Sequence, residues 1–158
     1  AVPDPSSHRD LIGNNFPTDN FQPADVVLGH PDFSNTEPND VPPGTAFRDQ
    51  DRPSARTFRE PRGLHSDGVG LAVADSFNHR VLIWNSFPTA NFQPADVVLG
   101  QPGFDRYATE DGDNNGLPDA PAVPNPQILN VPMNVVLTSD SLITTDLGQN
   151  GVLVFRKQ

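Results

Sequence analysis

The chain has 158 residues, enough for one ordinary domain, with a formal net charge of −10 and no cysteine. This acidic charge, with Lys157 as the single lysine, argues against a nucleic-acid partner, which would need clustered Lys and Arg. The lack of cysteine excludes disulfides, thiolate metal sites and a cysteine nucleophile. No apolar stretch approaches the ~18 residues of a transmembrane helix, so we expect no direct membrane insertion.

A long internal repeat organises the sequence. Residues 16–33 recur at 87–104 with 15 of 18 positions identical, at an offset of 71. The same offset holds without a gap along the rest of the chain, placing His8 on His79 and Pro61 on Pro132. A match of this extent indicates internal duplication, and repeats of this kind build solenoids or propellers.

One repeat unit contains four short runs that fit β-strands and none with sustained helical periodicity. Turn-forming residues at 67–68 and 76–78 separate the first three runs. In chain order the predicted strands are 61–66, 70–75, 79–85 and 95–100. Four antiparallel strands per unit are typical of a propeller blade, so the sequence predicts an all-β fold of β-propeller blades.

The chain holds about two blades' worth of sequence in a single propeller segment. We predict a partial blade at 1–33, a complete blade at 58–104 and a partial blade at 131–158. Long polar loops at 34–57 and 105–130 connect them and are expected on one face of the ring. Loops of this length are often functional.

The middle unit resembles the NHL repeat. The resemblance rests on Pro61–Leu64, on the Val-Ala-Asp strand ending at Asp75, and on Asn78–Ile83. The segment 87–102 is similar to the long-repeat NHL proteins of bacteria. The resemblance implies a propeller, usually of about six blades, that binds proteins, ligands or nucleic acids, with a minority of members being enzymes.

The outer units depart from this pattern. Asp10 and Gly13 stand where the middle unit has Val81 and Trp84, and Gly151 stands where it has Arg80. Any polar network that depends on Arg80 is therefore in doubt in the last unit.

The number of blades leaves three readings open, because closed propellers have about four to eight blades. The chain is a fragment of a longer protein, or it associates with copies of itself or another chain, or it forms an open sheet assembly. Open blade edges invite strand pairing, so we expect a protein partner or self-association there.

The sharpest chemical motif is an acidic loop resembling a calcium-binding loop. It places oxygen ligands at positions 1, 3, 5 and 9 of the pattern, with glycine at position 6. These predicted Ca²⁺ ligands are Asp111, Asp113, Asn115 and Asp119. Position 12 is Ala122 instead of the usual bidentate Glu, which leaves a solvated acidic loop as the alternative.

Other polar residues fit structural roles better. Asp75, Asn78, His79 and Arg80 suggest an acid–base cluster, but their partial repetition at Asp4, His8 and Arg9 favours hydrogen bonds between strands. His30 and His65 are single, which weakens a metal role for either. Trp84 and the phenylalanines are expected to pack in the core or between blades.

These features predict a non-catalytic binding or scaffolding module, part of a larger assembly or longer chain, in a secreted, periplasmic or extracellular location. The alternative is a propeller enzyme, a lyase or hydrolase with a metal at the central channel. That enzyme would need His and carboxylate side chains converging from several blades, and this sequence repeats few histidines. A structural subunit of a larger assembly is the third reading.

Overall fold

A computed structural model describes residues 1–47, 50, 52–109 and 126–157. Ten strands in these ranges form three antiparallel sheets, which confirms the all-β prediction. The strands are β1 (Val2–Asp4), β2 (Arg9–Ile12), β3 (Val26–Leu28), β4 (Pro61–Ser66), β5 (Leu71–Asp75), β6 (Arg80–Trp84), β7 (Val97–Leu99), β8 (Pro132–Leu137), β9 (Ser141–Asp146) and β10 (Gly151–Arg156). The first sheet has the order β1-β2-β3, the middle sheet β4-β5-β6-β7 and the last sheet β10-β9-β8.

The four predicted strands of the middle unit are present, and short-range chemistry sets their turns. Between β4 and β5, the Asp67 carboxylate accepts the Val69 and Gly70 N–H groups at 3.0 and 2.8 Å. These bonds lower the pKa of Asp67. Between β5 and β6, a 3-10 turn over Ser76–Asn78 ends at His79, whose φ of 55° is left-handed. The apolar, β-branched runs of β5 and β6 favour the extended conformation between these turns.

The strand registers repeat at the offset seen in the sequence. Leu11 pairs with Val27 in the first sheet, and Leu82 pairs with Val98 in the middle sheet. The register shift that follows Pro61 in β4 recurs after Pro132 in β8. The duplication is therefore one of three-dimensional structure as well as of sequence.

The sheets stack face to face, with the middle sheet buried on both sides. Leu71 and Val73 of β5 belong to an apolar cluster shared with β2 and β3 of the first sheet. Ala72, which points the other way, belongs to a second cluster shared with β8 and β9 of the last sheet. β4 lies against β1, and β8 lies against β5. The three sheets do not close into a ring within the described ranges.

Searched over the same ranges, the chain has no helix long and apolar enough to span a membrane.

The expected packing of aromatic residues holds for some and fails for others. Trp84 is buried against Phe58, with ring centroids 6.1 Å apart. The prediction is wrong for Phe16 and Phe21, which are 89% and 104% exposed. Phe87, the repeat equivalent of Phe16, packs against the cluster that contains Trp84. In the first unit the position equivalent to Trp84 is Gly13, which has no side chain for Phe16 to contact.

The close packing of β4 against β8 can be tested by adding a Cβ at Gly63. A Cβ at this position would lie 2.6 Å from the Asn134 Cα and 2.8 Å from the Met133 carbonyl oxygen. We expect Gly63→Ala to lower the free energy of unfolding by about 1–3 kcal/mol, because backbone must move to admit it. Urea denaturation followed by circular dichroism measures this change.

Gly13→Ala is the matched control, since its Cβ would meet only the Asn15 carbonyl oxygen, at an ordinary 3.4 Å. Equal unfolding free energies for the two variants would contradict the close approach of β4 and β8.

Candidate functional site

The predicted calcium ligands Asp111, Asp113, Asn115 and Asp119 lie outside the described residues, so the calcium site stays a prediction. Among the residues that the structure does describe, no group of three or more His, Cys, Asp or Glu side chains could hold a metal ion. The polar groups that are described gather where sheets meet. We call the contact of β4 with β1 the first seam, and the contact of β8 with β5 the second seam.

A buried arginine joins the middle sheet to the loops on either side of it in the chain. The Arg80 Nε donates to Asp75 Oδ2 at 2.8 Å, and both side chains are fully buried. Its Nη1 donates to the Phe104 carbonyl at 2.5 Å, and its Nη2 donates to the carbonyls of Ser54 and Thr57, each at 2.9 Å. One guanidinium thus satisfies four acceptors that no single strand could bring together.

Asp75 is held by donors on all sides. Its Oδ1 accepts the Arg59 N–H at 2.7 Å, and its Oδ2 accepts the Asn78 side-chain amide at 2.8 Å in addition to Arg80. Burial raises the pKa of Asp75, and the Arg80 charge and these hydrogen bonds oppose that rise. The strand-linking hydrogen bonds expected from the sequence are confirmed at Asp75, Asn78 and Arg80.

The first sheet repeats this arrangement in a more open form. The Arg9 Nε donates to Asp4 Oδ2 at 3.0 Å, and its Nη1 donates to the Phe33 carbonyl at 2.9 Å. The side chains of Arg9 and Asp4 are 18% and 31% exposed, whereas those of the equivalent pair in the middle sheet are fully buried. The same contacts are therefore screened by solvent in the first unit.

The last sheet replaces the arginine with a different side chain. Gly151 stands at the arginine position, yet Asp146 still accepts the Asn130 N–H at 2.9 Å. The Gln149 side-chain amide donates to the Ile128 carbonyl at 3.3 Å. Ile128 is the repeat equivalent of Thr57, so Gln149 takes over one of the bonds that Arg80 makes in the middle unit.

Two histidines bridge the seams, which agrees with the structural hydrogen bonds expected for His8 and His79, although the sequence did not indicate that these bonds join different sheets. His8 Nδ1 accepts the Glu60 N–H at 2.9 Å, and His79 Nδ1 accepts the Val131 N–H at 3.1 Å; each bond spans 52 residues. Burial lowers the pKa of His8, with Glu60 opposing. A neutral His8 ring that accepts at Nδ1 carries its proton on Nε2. The recurrence of histidine at one repeat position was the sequence signal for this structural role.

The long loop after the first sheet is anchored to the middle sheet. Asn39 and Asn78 exchange side-chain amide hydrogen bonds at 3.2 and 2.8 Å. Buried His30 contacts the Asp40 carboxylate through Nδ1 at 2.8 Å and the Ser7 carbonyl through Nε2 at 3.1 Å. Residues 39 and 40 of the 34–57 segment are therefore tied to the turns that follow β5 and β1.

A cavity of about 330 Å³ lies beside the first seam. Its walls carry charges of both signs, and the Arg59 guanidinium sits 4.9 Å from the centre of the Phe47 ring. Its lining consists of His8, Glu37, Pro38, Phe47, Gln50, Arg59, Glu60 and Phe77. A volume of this size with a few convergent polar groups suits a small polar ligand or a peptide side chain. We take this cavity as the candidate functional site.

Asp10 is the one side chain in the described ranges whose two buried carboxylate oxygens both lack a hydrogen-bond partner. It stands where the middle unit has Val81. Burial raises the pKa of Asp10 well above its ordinary value of 3.8, and the nearby charge of Asp75 raises it further. The first unit therefore buries an acid without hydrogen-bond partners at a position where the middle unit buries an apolar side chain.

Comparison of the chain with known protein families, with curated proteins and with solved structures finds no match in any of the three.

The buried arginine can be tested by truncation. We expect Arg80→Ala to lower the free energy of unfolding by about 3–5 kcal/mol, because it leaves the Asp75 carboxylate buried without its charge partner. Urea denaturation followed by Trp84 fluorescence measures the loss.

Arg9→Ala is the matched control, with an expected loss within about 1 kcal/mol because the Arg9–Asp4 pair is partly exposed. Should Arg80→Ala fail to fold, Arg80→Lys, which keeps a positive charge beside Asp75 but has fewer donors, is compared with Arg9→Lys instead. Similar losses at Arg80 and Arg9 would refute the central role of the buried pair.

The buried acid predicts a pH dependence of stability. The pKa of Asp10 is higher in the folded state than in the unfolded state. The free energy of unfolding is therefore not reduced by this group below pH 3.8, and it falls as the pH rises from there through the folded-state pKa. We expect Asp10→Val to raise the free energy of unfolding at pH 7 by about 1–3 kcal/mol and to flatten its decline above pH 4.

Denaturation curves collected between pH 4 and pH 8 provide the measurement. Asp10→Asn, which removes the charge and keeps the polar group, should fall between the parent and the valine variant. A valine variant with the parent's pH profile would show that Asp10 is not strained in the fold.

Proposed function

We propose that the chain is part of a β-propeller of the NHL-repeat kind that acts as a non-catalytic binding or scaffolding module. The proposal rests on one observation: the first and second seams are equivalent contacts between consecutive units. β4 meets β1 as β8 meets β5, and a histidine bridges each seam. A contact that is repeated between consecutive units imposes the same rotation at each step. Repeated rotation of stacked sheets is how propellers and related repeat folds are made.

The distribution of charge favours binding over chemistry. Asp75 and Arg80 are fully buried and contact each other, backbone groups and Asn78. The cavity beside the first seam instead presents Glu37, Arg59 and the His8 ring to a pocket large enough for a small ligand or a peptide side chain. We propose that a partner inserts a polar group there.

Exposed strand faces favour a protein partner or self-association. Val152 and Val154 of β10 are 65% and 54% exposed, and β10 is an edge of the last sheet in the described ranges. An apolar edge strand is a template for pairing with another chain. A calcium ion on the Asp111 loop and a secreted, periplasmic or extracellular location belong to the same proposal.

Native mass spectrometry and small-angle scattering of the 158-residue chain test the proposal. We expect a defined assembly heavier than the 17.1 kDa protomer, with a scattering profile of a compact ring or stack. We also expect Val152→Lys to shift the population to the protomer, because a charge on an edge strand blocks pairing. Repeating the measurement with a chelator shows whether Ca²⁺ supports the assembly.

Val69→Lys is the matched control, since Val69 is 69% exposed in the turn between β4 and β5. This variant should assemble as the parent does. A folded protomer at all concentrations, with no added partner bound, would contradict the proposal.

A further inference from the structure

The histidine at each seam joins two backbone positions that are both left-handed. At the first seam, His8 has a φ of 52° and Glu60, whose N–H donates to it, has a φ of 48°. At the second seam, His79 and Val131 have φ values of 55° and 59°. Residues other than glycine rarely adopt this conformation, and for a β-branched side chain it is strained. Each hydrogen bond therefore holds two unfavourable backbone conformations in place.

The bond at the first seam links a turn of one unit to a strand of the next. The 3-10 turn over Pro5–Ser7, which follows β1, ends at His8, whose N–H donates to the Pro5 carbonyl at 3.1 Å. Glu60 directly precedes β4. Its N–H donates to His8 Nδ1 at 2.9 Å. The two units are thus joined at this point through one side-chain nitrogen.

This nitrogen accepts a hydrogen bond only while it carries no proton. A neutral imidazole has one donor and one acceptor nitrogen, whereas the imidazolium ion has two donors. A proton on His8 Nδ1 would place two donors against each other at a distance of 2.9 Å. The Glu60 N–H would lose its acceptor, and both left-handed residues would lose the contact that holds them. Acid therefore acts directly on the contact between the two units.

The charged and titratable groups that face His8 come from three parts of the chain. Burial has the largest effect and lowers the pKa of His8 from 6.5. Glu60 and Glu37 oppose this decrease, whereas His30 and Arg59 add to it, and the pKa remains lowered. The folded state therefore binds this proton less readily than the unfolded chain does. It follows that the stabilisation is present above pH 6.5 and is lost as the pH falls from there through the folded-state pKa.

We propose that the His8–Glu60 bond is an acid-sensitive contact that opens the first seam when the ring gains a proton. The start of β4 then separates from the turn after β1, and the seam cavity changes shape because both residues line it. The effect is opposite in sign to that of Asp10, whose burial lowers the free energy of unfolding as the pH rises above 3.8. The inference does not depend on the function proposed above, because it concerns a bond within the chain.

An NMR titration between about pH 7.5 and about pH 5, the range in which histidine titrates, tests the proposal. We expect the Glu60 amide shift to change with the same midpoint as the ring nitrogens of His8. After correction for intrinsic exchange, the protection of the Glu60 amide should fall about tenfold, which corresponds to the loss of about one hydrogen bond. The amide signal of Val73, a buried residue of β5, should stay in its folded position.

His8→Asn is the decisive variant. Asparagine tolerates the left-handed conformation, and its side-chain carbonyl accepts an N–H at every pH in this range. The Glu60 amide of this variant should lose less than about twofold in protection, because its acceptor does not titrate. A loss equal to that of the parent would overturn the proposal.

His30→Gln is the matched control, since the repeat equivalent of His30 is Gln101. This variant removes a second titratable ring near His8 and should keep the acid response of the Glu60 amide. Abolition of the response would assign it to His30 and overturn the proposal.

The parent chain alone also decides the question if His8→Asn does not fold. Different midpoints for the His8 ring and the Glu60 amide would contradict a shared contact. Loss of the folded Val73 signal together with that of Glu60 would show unfolding of the whole chain instead of opening at the seam, and would likewise overturn the proposal.

Discussion

The buried guanidinium of Arg80 is the interaction on which the described part of the fold depends. Two neighbouring strands meet at its bond to Asp75, and three of its other N–H groups bind carbonyls before and after the middle sheet. Removing these polar groups from water costs several kcal/mol per ion, and the cost is offset only when every donor finds an acceptor. Two of those acceptors, the carbonyls of Ser54 and Thr57, lie at the end of the 34–57 loop and tie it to the middle sheet.

Each unit links its strands to the adjacent loops by polar contacts, but the residues that make these contacts differ. The middle unit uses a fully buried ion pair, the first unit a solvent-screened copy of it, and the last unit an amide from Gln149 in place of the arginine. The apolar positions diverge in parallel, since Val81 and Trp84 of the middle unit correspond to Asp10 and Gly13 in the first. Divergence after duplication has thus placed a buried acid and a glycine on the first sheet where the middle sheet has two apolar side chains.

The sequence predicts the strands and the repeat well because both depend on local pattern. The four strands predicted for the middle unit lie within two residues of the observed bounds. The site could not be predicted in the same way. The bond of His8 to Glu60 joins residues 52 positions apart, and the burial of Asp10 depends on the neighbouring sheet. Such contacts follow from how the sheets stack, which no short motif encodes. The exposure of Phe16 was missed because its burial would require a side chain at Gly13.

The histidine bridges also bear on how the chain is made. His8 can complete its hydrogen bond only after Glu60 has been synthesised, and His79 must wait in the same way for Val131. Because synthesis runs from the N-terminus, each sheet leaves the ribosome before the segment that bridges it to the next one. The growing end therefore always carries one sheet with an uncovered apolar face.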